Sequence, residues 1–185
     1  HQLGLNAEQL RLVEESYDSF LKSGATLQGE KREKYRELRA KLSQLTMTFG
    51  QNALKATNAF SKHVTDVKEL SGMPEGELEK AAAKAQKKGL EGWVFDLSAP
   101  SYSGVMTYCD NRALREEMYK AYNLRAVGGE FDNTSVIKEI VNTRLALANL
   151  FGYKDYASYS LKDKMAKNSE NVYNMLDNLR EAYFD

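Results

Sequence analysis

The stretch that decides the fold is YRELRAKLSQLTMTFGQNALKATNAFSKH, residues 35–63. Positions on one side of it, most of them apolar, recur at alternating intervals of three and four residues: Tyr35, Leu38, Leu42, Leu45, Phe49, Asn52, Ala56, Ala59 and His63. This heptad spacing is typical of a helix that packs lengthwise against another helix. It predicts one continuous helix from Glu30 to Lys62, about 50 Å long at 1.5 Å per residue.

The residues before this stretch predict its packing partner. Asn6 is a favoured residue at a helix start and Gly24 is a favoured stop, so a first helix is expected between them. Its apolar side chains share one face, at Leu10, Val13, Tyr17, Phe20 and Leu21. Because only a short break around Gly29 separates the two helices, we expect an antiparallel hairpin within residues 1–70.

Residues 71–185 are predicted to be helical with one short strand. Pro74 is well placed to open a helix that ends at Gly89. The aromatic and β-branched residues near 93–97 predict the strand, closed by Pro100. Further helical segments are expected at 105–109, 110–126, 132–152, 153–162 and 169–185. The predicted fold class is therefore mainly α, an elongated helical segment with a long hairpin and one minor strand or hairpin.

Composition and charge exclude several classes of partner. Lysine and arginine number 26 and so do aspartate and glutamate, which gives a formal net charge of zero. A neutral chain has no bulk electrostatic attraction to nucleic acid or to an anionic membrane, and we predict neither as a partner. Apolar runs are only a few residues long, too short to span a bilayer. The single cysteine, Cys109, excludes an internal disulfide and fits a reducing compartment.

The sequence offers few residues for metal or catalytic chemistry. The two histidines, His1 and His63, are far apart, and neither begins an H-E-x-x-H motif. A zinc site with three protein ligands is not expected from them. For His63, at the end of the heptad pattern, a structural role or an interaction with the dipole at the helix C-terminus is favoured over catalysis.

The remaining polar candidates have structural alternatives. A packed thiol is favoured over a nucleophile for Cys109, because nothing nearby would lower its pKa. Asn133-Thr134-Ser135 matches the glycosylation pattern, but its place before a helix favours capping, with Asp132, Asn133 or Thr134 as the expected cap. Four arginines are candidates for binding a carboxylate or are simply helix-surface residues: Arg112, Arg115, Arg125 and Arg144.

Three stretches carry a family resemblance. Residues 101–116 read SYSGVMTYCDNRALRE and are followed by YKAYNLR at 119–125. Residues 148–153 read ANLFGY, and residues 164–167 read KMAK. In order and spacing these stretches resemble the thimet-oligopeptidase-like zinc metallopeptidases, particularly the branch of dipeptidyl carboxypeptidases and oligopeptidases A.

The resemblance implies a nearly all-helical enzyme with a deep channel between two lobes. In this family one zinc is held by an H-E-x-x-H helix and a downstream glutamate, and the glutamate of the motif activates the attacking water. That motif lies C-terminal to the KMAK stretch, so the resemblance assigns no catalytic, cofactor-binding or metal residue to this chain. The zinc belongs to the parent enzyme and none is expected here.

The resemblance further implies that residues 1–185 form the helical N-terminal portion of a larger peptidase. Its expected roles are scaffold and channel wall, and it is expected to be inactive alone. The expected partners are short peptide substrates of the parent and the C-terminal catalytic lobe. The expected compartment is the cytoplasm, with the periplasm as the alternative. The helical pattern of residues 179–185, which shows no stop signal, also favours a segment of a longer protein.

A different class of function is a non-enzymatic helical adaptor, in which the long helix from Tyr35 onward binds a partner helix. An exposed heptad face favours the adaptor. A heptad face covered by the first helix favours the peptidase scaffold.

Overall fold

The computed structural model describes residues 4–184. The described chain is mainly helical with one small antiparallel strand pair, which confirms the predicted mainly α class with one minor strand or hairpin. The elements in chain order are α1 (Ala7–Lys22), α2 (Gly29–Ala59), β1 (Lys62–Val64), a 3-10 turn (Val67–Leu70), α3 (Glu75–Lys87), β2 (Trp93–Phe95), α4 (Ala99–Tyr108), α5 (Arg112–Asn123), α6 (Thr134–Leu150), α7 (Tyr156–Leu161) and α8 (Ser169–Tyr183).

The chain forms two compact units. Unit 1 contains residues 1–45 and 139–185, of which 4–45 and 139–184 are described, and unit 2 contains residues 46–138. The boundaries therefore fall inside α2 and inside α6. The sequence pattern separates residues 1–70 from residues 71–185. The structure groups the residues differently, because the beginning of α2 packs with α6 and α7.

The first two helices begin and end close to the predicted residues. Asn6 and Gln9 form a reciprocal capping box at the start of α1, in which each side chain accepts a hydrogen bond from the backbone N–H of the other. Helix α2 has 31 residues, about 46 Å at 1.5 Å per residue. It ends at Ala59 rather than Lys62, because residues 62–64 leave the helix to pair with β2.

The predicted partner of α2 in the hairpin was wrong. In unit 1, Leu38 packs against Leu147 and Ala148 of α6 and Tyr159 of α7. Helix α1 has no buried residue. The heptad pattern correctly predicted which face of α2 turns inward near Leu38, but the aromatic and aliphatic residues after position 145 cover that face instead.

Burial along the heptad face is also uneven. Leu38 and Leu42 are buried, Leu45 is half-buried and Phe49 remains 39% exposed. The face therefore loses cover towards its C-terminal end, although the heptad pattern places Phe49 on the same side as Leu38 and Leu42.

The core of unit 2 is built around the strand pair. β1 and β2 are antiparallel, with His63 opposite Val94 and Val64 opposite Trp93. The core consists of Val64, Leu70, Ala81, Phe95, Leu97, Val105, Cys109, Leu114 and Met118. Gly92 precedes β2 with a φ of +84°, and a Cβ there would clash with the carbonyl oxygen of Val64. Only glycine allows this close approach of the two strands.

Helix α4 is longer than the short turn predicted at 105–109. It begins at Ala99, so Pro100 lies in its first turn rather than closing the strand. The missing N–H of proline costs nothing there, since first-turn amides have no partner within the helix. No helix within residues 4–184 is both long and apolar enough to cross a membrane.

Candidate functional site

The possible metal donors do not assemble into a site. His63 lies exposed in β1, with Nε2 2.6 Å from the carbonyl oxygen of Glu91. The alternative that placed it at a helix C-terminus was wrong, because α2 ends four residues earlier, at Ala59. Among residues 4–184 no three His, Cys, Asp or Glu side chains are grouped so that they could hold a metal ion. The described residues therefore do not fit the zinc site that the family resemblance implies, and no chemical step through zinc is assigned to them.

Cys109 is a packed thiol, as predicted. It is buried in the core of unit 2, and its Sγ lies 3.5 Å from the carbonyl oxygen of Glu69, to which the thiol donates a weak hydrogen bond. A buried thiol in apolar surroundings is inert, since the reactive form is the thiolate.

Three of the four candidate arginines are engaged within the chain. Arg115 donates to the carbonyl of Cys109 and thereby ties α5 to the end of α4. Arg125 donates to the carbonyl of Tyr122 at 2.7 Å, and its guanidinium lies 3.7 Å from the centre of the Tyr122 ring. That ring stacks on Tyr102 at 3.9 Å. These contacts give Arg115 and Arg125 structural roles.

The third, Arg144, lies over the ring of Tyr156 at 5.3 Å, within the range of a cation–π contact. Arg112 lies exposed in the first turn of α5. The geometry therefore gives no support to a carboxylate site made by these four arginines.

Of the three candidate caps of α6, Asp132 has the capping contacts and Asn133 has a different role. Only 2% of its surface is exposed, which does not suit glycosylation. Its side-chain amide donates to the carbonyl oxygen of Phe49 at 3.1 Å and accepts from the side-chain amide of Asn52 at 3.0 Å. The capping side chain is that of Asp132, which accepts from the backbone N–H groups of Gly128 and Thr134. These hydrogen bonds hold the pKa of the Asp132 carboxyl below its ordinary value, and the bond from the Gly128 N–H has the largest effect.

Unit 1 contains a cleft with an aromatic wall. The cleft has a volume of about 770 Å³ and lies between the end of α1, the beginning of α2 and the region of α7. The ring of Phe151 stacks on Tyr159 at 5.4 Å and meets Tyr35 edge-on at 5.7 Å. Tyr153 meets Tyr159 edge-on at 5.5 Å. These four rings form a continuous wall, and each contact contributes about 0.5–1.5 kcal/mol beyond burial of its area.

One edge of the cleft is fixed by polar contacts to Lys22. Its ammonium group pairs with Asp163 at 2.7 Å and lies 5.1 Å from the centre of the Tyr159 ring. The Tyr159 hydroxyl donates to the carbonyl oxygen of Lys22 at 3.0 Å. The hydrogen bond from Lys22 lowers the pKa of the Asp163 carboxyl, and burial raises the pKa of Tyr159. The end of α1 is thus tied to α7 around the cleft.

The sequence interpretation missed this cleft. Its signal was the spacing of Tyr153, Tyr156 and Tyr159, three aromatic residues at intervals of three. That spacing indicates a clustered aromatic face but not the helix against which it packs, so the contribution of Tyr35 was not predictable.

Comparison with known proteins identifies the family. The sequence model of peptidase family M3 matches residues 105–185. Oligopeptidase A of Escherichia coli is 45% identical over 184 residues, covering 97% of this chain. A probable cytosolic oligopeptidase A of Arabidopsis thaliana is 40% identical over 98% of the chain, and a dipeptidyl carboxypeptidase of Escherichia coli is 32% identical over 94%. The chain spans 26 to 27% of the length of these relatives. The chain belongs to peptidase family M3.

Proposed function

We propose that this chain is a structural part of a zinc-dependent metallopeptidase that hydrolyses short peptides, as an oligopeptidase or a peptidyl-dipeptidase. In this proposal the chain forms scaffold and channel wall and contributes no catalytic residue. The observation that carries the proposal is the 45% identity to an oligopeptidase A over nearly the whole chain, which covers only 27% of that relative. In this proposal the zinc ligands and the catalytic lobe belong to the part of the parent protein that lies outside these 185 residues.

The surface of unit 1 supports a scaffold role. Helices α1 and α8 have no buried residue, although each has apolar side chains along one face. On α8 the exposed side chains include Leu176, Leu179 and Tyr183. Contiguous exposed apolar surface of this kind marks an interaction site. We propose that it packs against the catalytic lobe of the parent. The proposed compartment is the cytoplasm; among the Arabidopsis relatives one is named as cytosolic and another as chloroplastic and mitochondrial.

The experiment compares the 185-residue chain with the longer parent protein. Both are purified, washed with a mild chelator, analysed for zinc and incubated with a quenched fluorescent peptide. We expect the parent to retain one zinc and to cleave the peptide, and the chain alone to do neither. One zinc per 185-residue chain, or peptide cleavage by it, would contradict the proposal.

Reconstitution tests the scaffold role itself. Mixing the chain with the separately expressed remainder of the parent is expected to restore cleavage that neither part shows alone. As a matched variant, Leu176→Asp places a charge on the exposed face of α8 and is expected to weaken reconstitution, whereas Asn178→Asp on the same helix provides the charge control. Equal recovery with both variants would argue against docking through α8.

The alternative, a helical adaptor, is supported by the exposure of Phe49. The buried positions Leu38 and Leu42 argue against it, because the chain's own packing removes them from any partner helix. An adaptor is expected to bind a helical partner through Phe49 without any peptidase lobe. Phe49→Ala leaves reconstituted peptidase activity unchanged if the scaffold proposal is correct.

A further inference from the structure

The cleft of unit 1 combines an aromatic wall with charged side chains that form no ion pair within the described residues. Of the charged side chains that line it, Glu15 pairs with Arg11 and Lys22 pairs with Asp163. Asp18, Arg39 and Lys162 also line the cleft, and within residues 4–184 they have no ion-pair partner. The three cations and three carboxylates that line the cleft balance in charge, but Arg39 and Lys162 form no ion pair within residues 4–184 and are therefore available to an anionic ligand.

The size and the wall of the cleft restrict the ligand further. A volume of about 770 Å³ lies within the range of small-molecule sites and accommodates a dipeptide. The half-buried rings of Tyr35, Phe151 and Tyr153 line the cleft around the buried Tyr159 and offer exposed ring surface to an additional aromatic ring. A guanidinium such as that of Arg39 holds a carboxylate by two parallel hydrogen bonds.

We propose that this cleft binds an aromatic residue with a free α-carboxylate, supplied by the C-terminus of a short peptide or by the free amino acid. Its carboxylate binds Arg39 and Lys162, its ring packs against the aromatic wall, and its amino group or the preceding peptide faces Asp18. The contacts of Lys22 with Asp163 and Tyr159 hold the two sides of the cleft in place for the ligand. This inference concerns binding by unit 1 and does not depend on the proposed peptidase function.

The test titrates the 185-residue chain with the dipeptide Ala-Phe and follows backbone amide shifts by NMR. We expect a dissociation constant of about 0.1–1 mM, as the binding efficiency of small ligands suggests. The shifts are expected at residues 35, 39, 151–159 and 162. Ala-Phe amide lacks the carboxylate and Ala-Ala lacks the ring, so each is expected to bind about tenfold more weakly or worse. Free phenylalanine distinguishes an amino-acid ligand from a peptide C-terminus.

The variants assign the carboxylate contact to named side chains. Arg39→Gln and Lys162→Gln are each expected to weaken Ala-Phe binding about tenfold, while Arg39→Lys retains part of the affinity. The matched control is Arg32→Gln, which removes an equal charge from the same helix away from the cleft. Circular dichroism verifies that every variant is folded.

Three results would overturn the inference. These are equal affinity for Ala-Phe and its amide, an equal loss with Arg32→Gln and Arg39→Gln, and shifts outside the cleft or absent at 10 mM ligand. This experiment measures neither zinc content nor peptide cleavage. A failure here therefore leaves the proposed function intact, and a failure of the proposed function leaves this site intact.

Discussion

Replacing Asn133 by alanine tests the polar contact that joins the start of α6 to the second half of α2. The substitution removes a hydrogen bond to the Phe49 carbonyl and another from the Asn52 amide, at 3.1 and 3.0 Å. A typical intramolecular hydrogen bond contributes about 1 kcal/mol net, and the truncated side chain leaves a small void. Asn52 is only half-buried, so its freed amide regains water. We expect a total loss of about 2–3 kcal/mol in the free energy of unfolding of unit 2.

Two further variants separate the hydrogen bonds from simple loss of volume. Asn52→Ala combined with Asn133→Ala in a double-mutant cycle is expected to show a coupling energy of about 1 kcal/mol. Asn133→Asp keeps the acceptor for Asn52 but directs a buried carboxylate at the carbonyl oxygen of Phe49. Burial raises the pKa of such a carboxyl, so this variant is expected to regain stability as the pH falls and the group is protonated.

The assay is urea unfolding followed by tryptophan fluorescence. Trp93, the single tryptophan, lies in β2 and therefore reports on unit 2, to which Asn52 and Asn133 also belong. Ordinary surface substitutions change the free energy of unfolding by less than about 0.5 kcal/mol. A loss in that range for Asn133→Ala would refute the reasoning. So would strictly additive effects of Asn52→Ala and Asn133→Ala.

Further predictions concern packing, pH and local stability. In urea unfolding, Leu38→Ala is expected to lower the free energy of unfolding by about 2–5 kcal/mol and Phe49→Ala by less than about 1 kcal/mol, because only Leu38 is buried. Equal losses for the two variants would contradict the uneven burial along α2. Burial raises the pKa of Asp96, but hydrogen bonds from Lys84 and Ser98 outweigh it and the net pKa is lowered. The stability this carboxylate contributes is therefore full above about pH 4, the ordinary carboxyl value, and is lost as the pH falls through the lowered pKa. Unfolding of the wild type and of Asp96→Asn is expected to differ most at neutral pH and to converge in acid; a constant difference would exclude the linkage. Amide hydrogen exchange in a dilute monomer is expected to be fastest in α8 and slow around Leu38, and equal protection would show that α8 needs no cover.

The sequence by itself determined the local elements of this protein. Asn6 and Gln9 predicted the start of α1, and the intervals of three and four around Leu38 predicted a long α2 with an inward face. Gly89, with a φ of +69°, ends α3 as its position indicated. Each of these signals involves residues within one or two helical turns of each other. The helical period of the apolar residues and the capping residues are therefore enough to predict these elements.

Only the tertiary structure decided what each face meets. A heptad face specifies that a partner exists but does not identify it, and α6 and α7 rather than α1 cover Leu38. The pairing of Val64 with Trp93 ends α2 before His63, although the heptad pattern continues to that residue. The aromatic wall of the cleft likewise joins Tyr35 to residues more than a hundred positions away. Contacts of this kind depend on the competition among all apolar faces of the chain for mutual burial, which no local pattern encodes.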